Sequence, residues 1–320
     1  MQPLIRALAL SWGRAGAYPA MKKREKLLNK IKHLWRKAGL PSYLHKFGPK
    51  KYKSYFLAFC LFVVEKYTHS LRRAQQLLFE LNLPVPHWTT IQKFAKRMSQ
   101  KLWNLLHSLT IKQVYPAVGA IDSTSFSRTN ASLHYLRRID SLKKVKVPVK
   151  LSILIDTRRK KILSAKVRSK HSHDVNDVPF LLKSTIFLPR KIVADKAYDS
   201  EKVHELCYDK GILSIIPTRK NARRGFFRNK MKKKFNLRIY HRREMVENVF
   251  SRLKQNFGNY IRCRTARLQR AEVFARIILY NMSCCVNRLF LQRRIFHKLF
   301  KEFQSPRKDV HPKKIWPEQD

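Results

Sequence analysis

The chain has 320 residues, 44% of them hydrophobic, which is enough for one substantial core and a smaller satellite domain and excludes a wholly disordered polymer. Seventy Lys and Arg against twenty Asp and Glu give a formal charge of +50, far beyond what solubility asks of a domain, so the chain needs a polyanionic partner. Nucleic acid is the first candidate, because each neutralised phosphate releases condensed counterions, and a membrane surface is the second.

The first twenty residues hold a weak apolar stretch, Leu4 to Trp12, interrupted by Arg6 and without a signal-peptide pattern. Met21 opens a strongly basic segment, so those twenty residues read as an over-long start. Residues 1–45 are expected to be a basic N-terminal segment. The longest unbroken apolar run, Tyr55 to Val64, is too short for a bilayer, which takes roughly 20 apolar residues as a helix, and it reads as a core helix. Five cysteines, Cys60, Cys207, Cys263, Cys284 and Cys285, form no CxxC pair and no zinc-ligand spacing, which fits a reducing cytoplasm. Cys284 and Cys285 read as small buried helix residues.

Residues 46–113 carry a helical pattern: an apolar helix to about Tyr67, a second from Ser70 to Leu81, a break at Leu83 to Trp88, then Thr89 to Leu105. Thr89 or Thr90 is placed to cap the last helix, which exposes Lys93, Lys96 and Arg97. This arrangement is helix-turn-helix-like, with a turn longer than usual, and an ordinary helical bundle with a solvated basic face remains the alternative.

Near Pro116 the character changes to short β-rich runs: Ala117 to Asp122, Val149 to Ile155, Lys161 to Val167, Ile192 to Asp195 and Leu213 to Pro217. Helical patterns occupy Asp174 to Lys183 and Ser200 to Lys210, and a long one begins near Tyr240. The reading is a mixed α/β domain over 114–296, followed by a basic, mobile tail over 297–320. From Arg219 to Arg238 the chain carries ten Lys or Arg and no acid, with Phe226, Phe227 and Phe235 interleaved. Such a basic insertion suits a loop that tracks DNA and stacks on opened bases, and a plain charged loop is the alternative.

In so basic a chain, a carboxylate that closes an apolar strand is conspicuous, and Asp122, Asp156 and Asp195 all do so. Asp156 precedes Thr157-Arg158-Arg159-Lys160 and another strand, so it starts a hairpin turn at the far end of the sheet. The strand ending at Asp195 follows a helical crossover, which makes it a parallel neighbour of the Asp122 strand and brings the two acids out side by side. Two neighbouring carboxylates repel unless a cation lies between them, and a hard divalent ion is the natural one. At about 100° per residue, Tyr240, Arg243, Glu247 and Lys254 fall within a stripe about 60° wide on one helix. That stripe borders the apolar face of Met245, Val246, Val249, Phe250, Leu253 and Phe257, so Glu247 points into a half-buried cleft; an ordinary Arg243–Glu247 i,i+4 pair is the alternative.

Tyr240, Arg243, Glu247 and Lys254 match the Tyr-x2-Arg-x3-Glu-x6-Lys signature, and here the chain resembles the DDE-class insertion-sequence transposases. Val193-Ala-Asp195-Lys196-Ala-Tyr198-Asp199-Ser200 resembles that family's second-aspartate block, Ile216-Pro217-Thr-Arg219-Lys220-Asn221 a downstream block, and Ile121-Asp122-Ser123-Thr124 the first. The similarity runs from about Val118 to Met282. It implies an α/β, ribonuclease-H-like mixed sheet flanked by helices, preceded by the small all-α helix-turn-helix-like domain. It implies Asp122, Asp195 and Glu247 as the catalytic acids holding two Mg2+ or Mn2+ ions about 3.5–4 Å apart. Water would first free a 3′-hydroxyl at the element's end, and that hydroxyl would then attack target DNA. Tyr240, Arg243 and Lys254 carry over as substrate-positioning residues, with Lys196, Tyr198, Arg219, Lys220, Lys93, Lys96 and Arg97 as further candidate DNA contacts. The partners implied are double-stranded DNA, as element ends and target, and a second copy of the chain in a homodimer on DNA. The location implied is the cytoplasm, at the nucleoid. His173-Asp174 resembles a family His-Asp pair, although Asp174 reads first as a helix N-cap and His171 and His173 as phosphate neighbours.

Overall fold

In the computed structural model, residues 27–80, 82–111, 115–128, 138, 147–170, 172–219 and 224–284 are described. The first twenty residues, His171, Lys220, Cys285 and the tail over 297–320 lie outside them.

The helical part opens with α1, residues 27–37, whose Ile31 and Trp35 are buried, with the Trp35 ring 6.1 Å from that of Phe94. The helical module therefore reaches back into the segment expected to be only a basic extension. Helix α2 (Ser54–Val63) is almost wholly apolar and buried, as its sequence demands, and continues as one π-helical turn, Val64–Thr68, that ends at His69 in the left-handed region. Helix α3 spans Leu71–Glu80 and α4 spans Trp88–Arg97. The cap of α4 is His87, whose ring accepts from the Thr89 N–H, so neither threonine caps it. The single helix expected to reach Leu105 is two, because the Ser99 hydroxyl accepts the Leu102 N–H and starts α5 (Gln100–Ser108). Buried Trp103 and His107 of α5 face Phe274 of α11, the helix described over residues 266–284. Burial pushes the His107 imidazole down to about 4, so it stays neutral against the Ile162 carbonyl.

The sheet follows: β1 (Val118–Arg128), β2 (Val149–Asp156), β3 (Lys161–Arg168), β4 (Lys191–Ala194), β5 (Leu213–Ile215) and a short β6 (Tyr260–Ile261). Its order is β3-β2-β1-β4-β5, with β6 on the far end of β1. The β1–β2–β3 hairpins are antiparallel, whereas β4 is parallel to β1 and β5 to β4. A 3-10 turn (Asp174–Asp177) and α6 (Val178–Ser184) form the crossover to β4, and α7 (Glu201–Asp209) the crossover to β5. Their apolar faces, with Leu181, Leu182, Val203 and Cys207, close over Ile121, Leu154, Leu163 and Ala194 as the core of that side.

The charged stretch after β5 is not a plain loop: α8 spans Phe226–Lys232, and Glu201 of α7 accepts the Phe227 and Arg228 N–H groups at its start. Helix α9 (Leu237–Tyr240), a 3-10 turn (His241–Arg243) and α10 (Glu244–Phe257) then follow without a gap. The helix read as starting near Tyr240 is thus interrupted just before Glu244, and only Glu247 and Lys254 of the signature share a regular α-helix. Among the described cysteines none is in a disulfide; Cys60 and Cys207 are buried and Cys284 is half-buried, not buried as expected. No helix of the described residues is long and apolar enough to cross a membrane.

Gly119 makes the β1–β4 edge sensitive to side-chain volume. An added Cβ would lie 2.8 Å from Pro189 Cγ and 3.0 Å from Leu154 Cδ1, closer than packed atoms tolerate. Gly119→Ala is expected to destabilise the protein by about 1–3 kcal/mol, read as a lower urea midpoint.

Candidate active site

The parallel register decides where the first two acids go. Ile121 of β1 pairs with Ala194 of β4, so the next residues, Asp122 and Asp195, stand side by side; Asp195 lies just past the carboxyl end of β4, whereas β1 does not stop at Asp122 as expected but runs on to Arg128. Asp195 stands in extended backbone immediately before a 3-10 turn, Lys196–Tyr198, which the buried Tyr198 ring pins into the core. Asp156 pairs with Gly119, at the opposite end of β1. There its carboxylate accepts the Arg158 and Arg159 N–H groups and pairs with the Arg159 guanidinium, as a turn-forming residue should.

Helix α10 packs along β1 through Val246, Val249 and Leu253, all buried, and brings Glu247 toward the pair. The link between them is Arg243. Its guanidinium donates to Glu247 at 2.8 Å and lies 3.6 Å from Asp122 Oδ2. Glu247 itself is 57% exposed, not half-buried as expected, because α10 turns this side away from the sheet. Burial of Asp122 raises its pKa, and the Ser123 N–H and Arg243 pull it down; the charges of Asp195 and Glu247 push it up again, and the net shift is upward. Burial weakens the Arg243 cation, but Glu247, Tyr240, Asp122 and Asp195 together hold its pKa above the ordinary value. Three carboxylates and one guanidinium therefore share one electrostatic field with acid in excess. The donors are all hard oxygens, the set that suits a divalent cation such as Mg2+. Among the described residues no three acid, His or Cys side chains converge closely enough to ligate one ion, and the Arg243 cation bridges Asp122 and Glu247.

The other predicted contacts scatter. Tyr240 ends α9, half-buried, with its ring 5.7 Å from Phe235. Lys254 lies one face along α10, with Nζ 6.0 Å from the Phe126 ring of β1. Lys196 is exposed. Arg219 folds back on the Asp195 turn, donating to the Lys196 and Ala197 carbonyls. Lys93, Lys96 and Arg97 are exposed on α4. Tyr198 is corrected: its ring belongs to the core and is 1% exposed, so it shapes the turn after Asp195 and offers no surface to DNA.

Sequence reasoning missed two carboxylate hubs. Asp174 is not a helix cap, since its N–H neighbours take no bond from it; it accepts the Ser123 hydroxyl at 2.6 Å and pairs with Lys150. Asp199 accepts from Arg219 N, Arg228 Nε and the His204 ring, while His204 bonds the Ser214 hydroxyl. Burial pushes the Asp199 carboxyl up, but these hydrogen bonds outweigh it and the net shift is downward. The signal was present for both, since Asp174 sits in the His-Asp pair and Asp199 closes the second-aspartate block.

A family profile described as the transposase DDE domain matches residues 115–282, more than half of the chain. The chain belongs to that family. The transposase-family sheet, with β1 central, β2 and β3 antiparallel beside it and β4 and β5 parallel, is the ribonuclease-H-like fold that the resemblance implied. The chain is similar to an uncharacterized protein of Aquifex aeolicus (strain VF5), 26% identical over 272 residues, covering 78% of this chain and 84% of that protein. Among solved structures it is similar to piggyBac transposase in a synaptic complex with hairpin DNA, at 10% identity and a TM-score of 0.45, covering 88% of this chain and 80% of that one. It is also similar to the catalytic core domain of BIV integrase, at 12% identity and a TM-score of 0.27, covering 50% of this chain and 81% of that one.

Proposed function

We propose that this transposase-family protein cuts DNA at the ends of its mobile element and joins the freed 3′ ends to target DNA, with Asp122, Asp195 and Glu247 as the catalytic acids. The observation that carries this reading is the juxtaposition of Asp122, within β1, and Asp195, just past the end of its parallel neighbour β4, with Glu247 linked to Asp122 through Arg243. The three carboxylates would hold Mg2+ or Mn2+, which when bound supplies an activated attacking oxygen and stabilises the leaving one. Arg243 holds Glu247 toward Asp122 and offers the remaining donors of its fork to a phosphate. Tyr240 and Lys254 flank it on the same helical run and orient the strand.

The supporting parts follow from charge. The helical module over residues 27–111 presents Lys93, Lys96 and Arg97 of α4 to element ends. The aromatic and basic surface of α8, with Phe226 70% exposed and Lys230 over the Tyr208 ring at 4.2 Å, suits stacking on unpaired bases. Two ends must be held together for joining, which calls for a homodimer on DNA. The test is cleavage and strand transfer on DNA bearing the element's own flanking ends, with and without Mg2+, for the intact chain and Asp195→Asn. Metal-dependent products from the intact chain alone are expected, with DNA binding retained in both. Equal products from both proteins would refute the assignment, and binding without any cleavage would leave a DNA-binding protein in its place.

A further inference from the structure

An open cavity of about 570 Å3 lies beside Asp122 and Asp195 and is lined by none of the three acids. One wall is the Lys150 end of β2 with Ser172, His173, Asp174 and Val175; the other is the Asp195 turn, with Ala197, Asp199 and Ser200, and Arg219 and Arg228 complete it. Because β2 runs antiparallel to β1, Lys150 pairs with Ser125, three residues beyond Asp122, and so lies on the same side of the Ile121–Ala194 pair as Asp122 and Asp195. Ser123 spans the two places: its N–H donates to Asp122 and its hydroxyl to Asp174. A strand held at the acids therefore brings its neighbouring nucleotides to the mouth of the cavity.

The lining chemistry selects the ligand. Lys150, Arg219 and Arg228 are fixed cations, and Ser172 and Ser200 supply hydroxyls. The two acids in the wall are already engaged, Asp174 by the Ser123 hydroxyl and Lys150, and Asp199 by the Arg219 backbone N–H, the Arg228 guanidinium and His204, so they orient Lys150 and Arg228 and do not repel an anion unopposed, while the Arg219 guanidinium is held by the Lys196 and Ala197 carbonyls. Among the described residues no Phe, Tyr or Trp lines the cavity, and His173 is the one ring there. Its volume suits a unit larger than a bare phosphate. We infer that this cavity takes one sugar–phosphate unit of the DNA strand next to the cut, held by Lys150, Arg219 and Arg228. This rests on the DNA-cleaving function proposed above and adds a backbone subsite that fixes the register of the strand.

The experiment measures affinity, not cleavage, so that its failure is distinct from failure of the catalytic assignment. Element-end DNA is prepared with single methylphosphonates that neutralise one phosphate at a time, and binding is followed by fluorescence anisotropy across a salt series. For the intact chain, one position flanking the cut is expected to weaken binding about 5–10-fold, and Lys150→Gln should be indifferent to that position while its salt slope falls by about one. Arg219→Gln, which keeps its backbone N–H on Asp199, gives the same reading if Lys150→Gln fails to fold. Equal sensitivity of intact and variant chains at every phosphate overturns the inference. A free nucleoside monophosphate that raises the melting temperature of the intact chain but not of the variant, with no methylphosphonate effect, also overturns it, because the cavity then takes a small molecule.

Discussion

Replacing Glu247 with Gln is expected to lower metal-dependent DNA cleavage by about 10^3-fold or more, with element-end affinity unchanged or slightly raised. The amide is the same size and can still accept from Arg243, and the side chain is more than half exposed, so folding should not suffer. What disappears is one of the three charges proposed to hold the metal, which would remove several kcal/mol of transition-state stabilisation, and about 4 kcal/mol is a thousandfold in rate. The loss also acts on Asp122, whose pKa is raised in part by the Glu247 charge and therefore falls in the variant. Affinity moves the other way, because a negative charge beside the phosphates is gone. Single-turnover cleavage in Mg2+ measures the effect; a rate within tenfold of the intact chain would remove Glu247 from the catalytic set.

Arg276→Met should unfold the protein under milder conditions than any other single change considered, by about 3–5 kcal/mol at pH 8, the usual cost of breaking a buried ion pair from one side. Arg276 is wholly buried on α11 and joins four elements. It donates to Glu65 in the π-turn at 2.9 Å, to Glu272 one turn back and to the Gly258 carbonyl, and its guanidinium lies 5.7 Å from the Phe126 ring centroid. Without it, two buried carboxylates lose their common partner. Burial, and then the Glu272 charge, push Glu65 up to about 7 against the pull of Arg276 and Arg262. A folded-state pKa raised in this way adds stability that is complete below the unfolded value and is lost as pH rises through about 7. Relative to Glu65→Gln, a mimic of the protonated acid in which the contributions of the buried histidines are unchanged, the intact chain should therefore lose stability between pH 5.5 and 8, and Arg276→Met should lose more. Urea titrations at the two pH values measure all three. A pH-independent difference between the intact chain and Glu65→Gln would show that Glu65 does not titrate there.

How much of this was legible in the sequence depended on the range of the interactions. The strand ends at Asp156 and Asp195 could be read from apolar runs that stop at a carboxylate, and the parallel β1–β4 neighbour from the helical crossover between them; the apolar run also stops at Asp122, but β1 continues to Arg128 because β2 pairs with it as far as Phe126. These are properties of short windows and of chain connectivity. Errors began where two local signals competed. Ser99 sits inside a helical pattern, yet its hydroxyl caps the next helix and splits the pattern in two. His87 does the work expected of Thr89. The basic run after Arg219 contains α8, because Glu201, some two dozen residues earlier, satisfies its first N–H groups.

The sequence by itself determined the basic character of the chain, the mixed α/β order and the three acids with their signature spacing, since charge, periodicity and motif are local facts. Only the tertiary structure decided that Tyr198 is a core residue, that Arg243 stands between Asp122 and Glu247, and that Asp174 and Asp199 gather Lys150, Arg219 and Arg228 around one cavity. Each of these joins residues that no repeat period relates. Burial and ion pairing are settled by which elements pack together, and that packing is a property of the whole chain.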